Sequence, residues 1–132
     1  MTLHTIGDVA SLTRIPTKTL RYYEDVDLVR ATTRAANGYR LYDERAVHEL
    51  HFVKRSRDLG FSVDDVRRLL ALWRDPHRAA SEVRELAEEH VAAIERKIAE
   101  LQALRATLDQ LVHRCHGGER PECPILEDLA RE

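Results

Sequence analysis

Aromatic residues are scarce in this 132-residue chain, which has two Phe, one Trp and four Tyr. So few large rings argue against a thick globular core, and a charged fraction of 33% points instead to long helices with solvated faces. Long apolar runs are missing too. No stretch approaches the roughly 18 apolar residues that a membrane span requires, and the opening MTLHTIGDVA lacks a signal-peptide core, so no membrane partner and a cytoplasmic location are expected. A dominant charge sign is likewise absent, because the net charge of −2 argues against a general polyanion binder. The charge is unevenly placed, however. Residues 1–60 carry 10 Lys+Arg against 8 Asp+Glu, a balance of +2, and residues 61–132 carry the remaining 11 against 15, a balance of −4. Nucleic-acid contact is therefore permitted at the N-terminal end and disfavoured elsewhere. Thiols number only two, Cys115 and Cys123.

What is present reads as a succession of helices. Thr5-Ile6-Gly7-Asp8 has the form of a capping box opening a first helix to about Leu12. After Pro16, Thr17 is placed to cap a second helix from Lys18 to about Glu24. Two short helices with a tight connection fit a helix-turn-helix. Asn37-Gly38 predicts a type I′ hairpin turn, with Tyr39–Tyr42 as one strand beyond it, together a small wing. Asp43 caps a third helix ended by Gly60, and Ser62-Val63-Asp64-Asp65 opens a fourth that runs to about Trp73. From about Ala79 to Val112 there is neither Pro nor Gly, and Ala87, Ile94, Leu101 and Leu108 recur every seven residues beside a second row of Val91, Ile98 and Val112. A helix of that length buries its stripe only against a partner, most simply its own copy; folding back onto its own domain is the competing reading. A Gly- and Pro-containing loop follows, with Pro124 opening a last short helix. The expected organisation is a DNA-reading head over 1–75, a dimerisation helix over 76–112, and a loop with a short helix over 113–132.

Two constellations carry chemistry. Lys18, Arg21, Tyr22 and Tyr23 lie within two turns of the second helix, Arg34 and Arg40 flank the wing turn, and Lys54, Arg55 and Arg57 crowd a later helix. Any one cluster fits an ordinary solvated face. Three around a helix-turn-helix make a duplex-binding surface. The second constellation is Cys115-x7-Cys123. Two incidental cysteines, a reversible disulfide and a metal site all remain open readings. Two thiolates alone suit a soft ion with linear geometry, Cu(I) or Ag(I), whereas Zn(II) wants about four ligands and would recruit His113 and His116. No nucleophile–base pair or cofactor loop marks an enzyme.

The runs Ile6-Gly7-Asp8-Val9-Ala10, Thr19-Leu20-Arg21-Tyr22-Tyr23-Glu24, Asn37-Gly38-Tyr39-Arg40 with Tyr42, and Arg57-Asp58-Leu59-Gly60-Phe61-Ser62 resemble the MerR family of transcription regulators. Cys115-x7-Cys123-Pro124-Ile125-Leu126 is similar to the metal loop of its copper-responsive CueR/HmrR-type members. The resemblance implies a mainly α fold: a winged helix-turn-helix DNA-binding head, a long antiparallel coiled-coil dimerisation helix and a C-terminal metal-binding loop. It implies that Lys18, Arg21, Tyr22, Tyr39, Arg40 and Arg57 contact operator DNA. It further implies a homodimer on double-stranded promoter DNA, which distorts that DNA for RNA polymerase when Cys115 and Cys123 bind Cu(I), with Ag(I) and Au(I) as undistinguished alternatives. Members sensing divalent ions place a third cysteine where Ala80 stands, and copper regulators usually place Ser there; this chain departs from both.

Overall fold

A computed structural model describes residues 2–115, 118–119 and 121–131. It divides into two compact units, one reaching Arg84 and the other starting at Glu85. The first unit contains β1 (Leu3–Thr5), α1 (Ile6–Thr13), α2 (Thr17–Asp25), β2 (Thr33–Arg34), β3 (Arg40–Asp43), α3 (Glu44–Asp58) and α4 (Val63–Arg74). Three helix starts are built as the capping residues dictate. Thr5 accepts from the Asp8 amide, Asp43 from Ala46 and Ser62 from Asp65, at 3.2, 2.9 and 3.1 Å. Thr17 is not the cap of α2. It is the first helical residue, and Pro16 holds the N-cap position without a side-chain bond. The C-terminus of α3 closes as a Schellman motif: Phe61 N–H donates to Ser56 O and Gly60 N–H to Arg57 O, with Gly60 at φ +91°.

The sheet is antiparallel in the order β1-β3-β2, with His4 opposite Tyr42 and Arg34 opposite Arg40. Strand β1 was not expected, because three residues are too few to show a period-2 pattern. The wing turn also differs from expectation. Gly38 alone has positive φ (+86°), and its N–H closes onto Ala35 O at 2.8 Å. A type I′ turn needs positive φ at both central residues; here Asn37 instead uses its Oδ1 to accept from the Tyr39 amide at 3.1 Å. Around this sheet α1, α2, α3 and α4 bury Val9, Leu20, Tyr42, Leu50, Val53, Val66 and Leu70, and Phe52 stacks on Trp73 at 4.5 Å. Arg67 of α4 donates to the carbonyls of Val26 and Asp27 at 2.7 and 2.9 Å, satisfying acceptors just beyond α2.

Helix α5 (Ala80–Arg114) has 35 residues, and α6 is Pro124–Leu129. At 1.5 Å per residue α5 extends about 52 Å. Val91, Ile94, Ile98, Leu101, Leu104, Leu108 and Val112 are each between 43% and 62% exposed, so the apolar stripe is uncovered within one chain. No described helix is long and apolar enough to cross a membrane.

Candidate nucleic-acid interface and thiol site

Helix α2 is amphipathic by spacing. Leu20 and Tyr23 are buried, and Lys18, Arg21 and Tyr22, at i, i+3 and i+4, share its exposed side, with Tyr22 packed near Tyr23 at 6.0 Å between ring centroids. Tyr39 lies at the tip of the wing and is exposed. Arg40 is held differently from these. Its Nε donates to Glu24 Oε2 at 2.5 Å, and Arg34 donates from Nη2 to Glu24 Oε1 at 3.2 Å and from Nη1 to Gly38 O at 3.0 Å. The wing is thereby tied to α2. Arg57 stands on the last turn of α3, where its guanidinium donates to Phe61 O at 2.6 Å across the helix end. The structure thus assembles Lys18, Arg21 and Tyr22 on one helix face and links Arg40 to the same helix, with Arg57 on a separate element.

Sequence reasoning missed two side chains that hold this arrangement together, Glu24 and Arg67. Glu24 stood inside a motif, but nothing local signals that it pairs with arginines 10 and 16 positions later. Arg67 reaches back 40 and 41 positions, a contact with no period to reveal it.

The thiols occupy the ends of two helices. Cys115 follows α5 and its amide donates to Leu111 O and Val112 O, both at 3.1 Å; Cys123 is the N-cap of α6. Both are free and half-buried. The Cys123 thiol is held below its ordinary pKa, first by the Leu126 amide, then by that of Ile125 and by a hydrogen bond with the Cys115 side chain; burial and the Glu127 charge oppose this. The two amides do not close a formed capping bond, so their action is that of the field at the helix start. Both thiols of the chain therefore stand at helix ends, Cys115 just past α5 and Cys123 at the start of α6. His113 sits on α5 with Nδ1 against Asp109 O at 2.8 Å, and His116 lies outside the described residues. Among the described residues no group of three or more His, Cys, Asp or Glu side chains is placed to hold a metal ion. Two free thiols are donors that a soft, thiophilic ion takes.

Comparison with known proteins gives these two sites a context. The model of the MerR HTH family regulatory proteins matches residues 4–73, and the MerR DNA-binding model matches residues 47–111. The chain is 52% identical over 125 residues to the HTH-type transcriptional regulator HmrR of Rhizobium leguminosarum bv. viciae, covering 95% of this chain and 96% of that one. It is 38% identical to CueR of Salmonella typhimurium, covering 95% and 91%. Among solved structures, the regulator PbrR691 of Ralstonia metallidurans in complex with lead(II) superposes with a TM-score of 0.82 at 33% identity, covering 95% of this chain and 98% of that one. A matched head, a matched long helix and near-complete coverage by regulators lead to one conclusion: this chain belongs to the MerR family of helix-turn-helix transcription regulators, which are DNA-binding proteins and not enzymes.

Proposed function

We propose that this protein is a metal-responsive regulator that binds promoter DNA as a homodimer and activates copper-resistance or efflux genes when Cu(I) binds Cys115 and Cys123. The observation that carries the metal reading is the pair of free, half-buried thiols at the end of α5 and the start of α6, with no cluster of three or more ligating side chains among the described residues. Solved relatives hold lead(II) or mercury(II), but two thiolates alone favour a soft monovalent ion, Cu(I), Ag(I) or Au(I). Such an ion would be held by the Cys115 and Cys123 thiolates and would supply a soft Lewis acid at the ends of α5 and α6. The chain is organised for this as a reading head (1–75), a dimerisation helix (76–112) and a metal loop (113–132). Lys18, Arg21, Tyr22, Tyr39, Arg40 and Arg57 contact the duplex; the uncovered stripe of α5 supports pairing with a second copy. Occupancy of the two thiols would bias the dimer toward a form that distorts the promoter so that RNA polymerase can engage it, a specificity that resides in deformation of the DNA.

The same pair of free thiols also favours a second reading, a reversible disulfide that senses thiol oxidation. Anaerobic titration of the reduced dimer with Cu(I) against a bathocuproine-type chelator separates the two. One Cu(I) per thiol pair, withdrawn from the chelator and two-coordinate by X-ray absorption, is the expected result. Failure to compete, with a response to oxidant instead, would leave the redox reading in its place. Zinc bound with nitrogen ligands would overturn both.

A further inference from the structure

Glu24 is an acidic side chain placed between the arginines of a surface that meets a polyanion, where a free carboxylate would repel phosphate. It is not free. Its side chain is only 17% exposed, and each oxygen is taken by a different arginine, Oε2 by Arg40 and Oε1 by Arg34. Arg34 also grips the turn itself through Gly38 O, so an ionic chain runs from α2 to the wing tip. Strand β3 is anchored by its pairing with β1 and by buried Tyr42, but among the described residues β2 pairs only with β3 and both of its residues are exposed, so the outer strand has no apolar anchor of its own. From this we infer that Glu24 is a positioning residue for duplex reading. Its carboxylate braces the wing against α2, so that Tyr39 and the residues of α2 meet the DNA in a fixed relation. The inference rests on the DNA-binding reading above, and its test has one arm that does not.

That arm measures amide exchange in the free, full-length dimer. Ala35 and Gly38 N–H donate within the wing, to Tyr39 O and Ala35 O at 2.8 Å each. In Glu24→Gln these two amides should exchange about tenfold faster while those of α1, α3 and α4 are unchanged. Unchanged wing exchange overturns the brace whether or not the protein binds DNA. The second arm uses a duplex that the wild-type protein selects from a random-sequence pool. If Glu24 were only an unfavourable charge, Glu24→Gln would bind more tightly with a salt slope steeper by about 1. A brace predicts the opposite sign, at least about tenfold weaker binding with a shallower slope, because wing contacts to phosphate are lost. Tighter or unchanged binding overturns the proposal; a wild type that selects no duplex overturns the DNA reading and leaves the exchange result standing. Arg34→Met removes the brace from its other end. In a double mutant it should add nothing to Glu24→Gln, whereas additive losses would show that Arg34 acts without Glu24. Should Glu24→Gln not fold, Arg34→Met alone must give the same faster wing exchange, and normal exchange there overturns the brace.

Discussion

Tyr42 is buried beside the Glu24–Arg40 pair, and among the described residues its hydroxyl has no hydrogen-bond partner. Burial first, and then the Glu24 charge, push its phenol above the ordinary value of 10.0, against the pull of Arg40, Arg34 and Arg21. The folded state therefore holds this proton more tightly than the unfolded chain does. Its contribution to stability is complete below pH 10 and is lost as pH rises beyond it. In Tyr42→Phe the alkaline fall in melting temperature should flatten, and stability at neutral pH should be equal or higher, since an unpartnered buried hydroxyl costs about 1–3 kcal/mol. A Phe variant with the wild-type alkaline fall would show that Tyr42 is not its source. Arg21 and Arg57 also separate at this scale. Arg21→Ala should weaken specific binding by roughly 1–3 kcal/mol if it reads a base edge. Arg57→Ala removes the bond to Phe61 O as well as the phosphate contact proposed for this side chain. It should therefore lower thermal stability by about 1 kcal/mol and weaken binding to all sequences alike. Loss of DNA affinity with no change in melting temperature would contradict the helix-end role.

Elements were legible where a short rule decides them. Thr5, Asp43 and Ser62 cap as their types and spacing require, and the α5 stripe follows from a seven-residue repeat. Legibility failed where the deciding contact is distant. Strand β1 exists because β3 is there to pair with it, and the wing turn depends on an Asn37 side chain replacing the backbone geometry that Asn-Gly suggested. In the functional residues the same division holds: the face formed by Lys18, Arg21 and Tyr22 is helical arithmetic, whereas the partners of Arg40 and Arg57 appear only after folding. The uncovered stripe makes the sharpest prediction for an element. Leu101→Glu places a charge in an apolar seam between two copies and should dissociate or unfold the protein. Wild-type melting should rise with concentration and the variant's should not. A wild type that sediments as a monomer at micromolar concentration would remove the coiled-coil dimer.

For the molecule as a whole, the residues proposed to read DNA and those proposed to hold the metal lie in different units. Arg21 and Tyr39 belong to the first, Cys115 and Cys123 to the second. Loss of a sulfur should then remove the response and spare the grip. Cys115→Ser and Cys123→Ser are each expected to abolish activation by Cu(I) in a purified transcription assay, with affinity for the promoter within about twofold of wild type, since additivity holds between independent sites. His113→Ala is expected to leave the Cu(I) response in place. Its Nδ1 is engaged by Asp109 O, and a linear bis-thiolate site has no position for imidazole. Under a zinc reading the same change would strip a ligand from a tetrahedral site and sharply reduce metal affinity. His116→Ala completes the comparison, because it removes the other imidazole a zinc site would recruit. A double histidine variant that takes up Cu(I) and activates normally supports the two-sulfur sensor. One that loses both metal and response would replace the ligand set proposed here, and with it the preference for a monovalent ion.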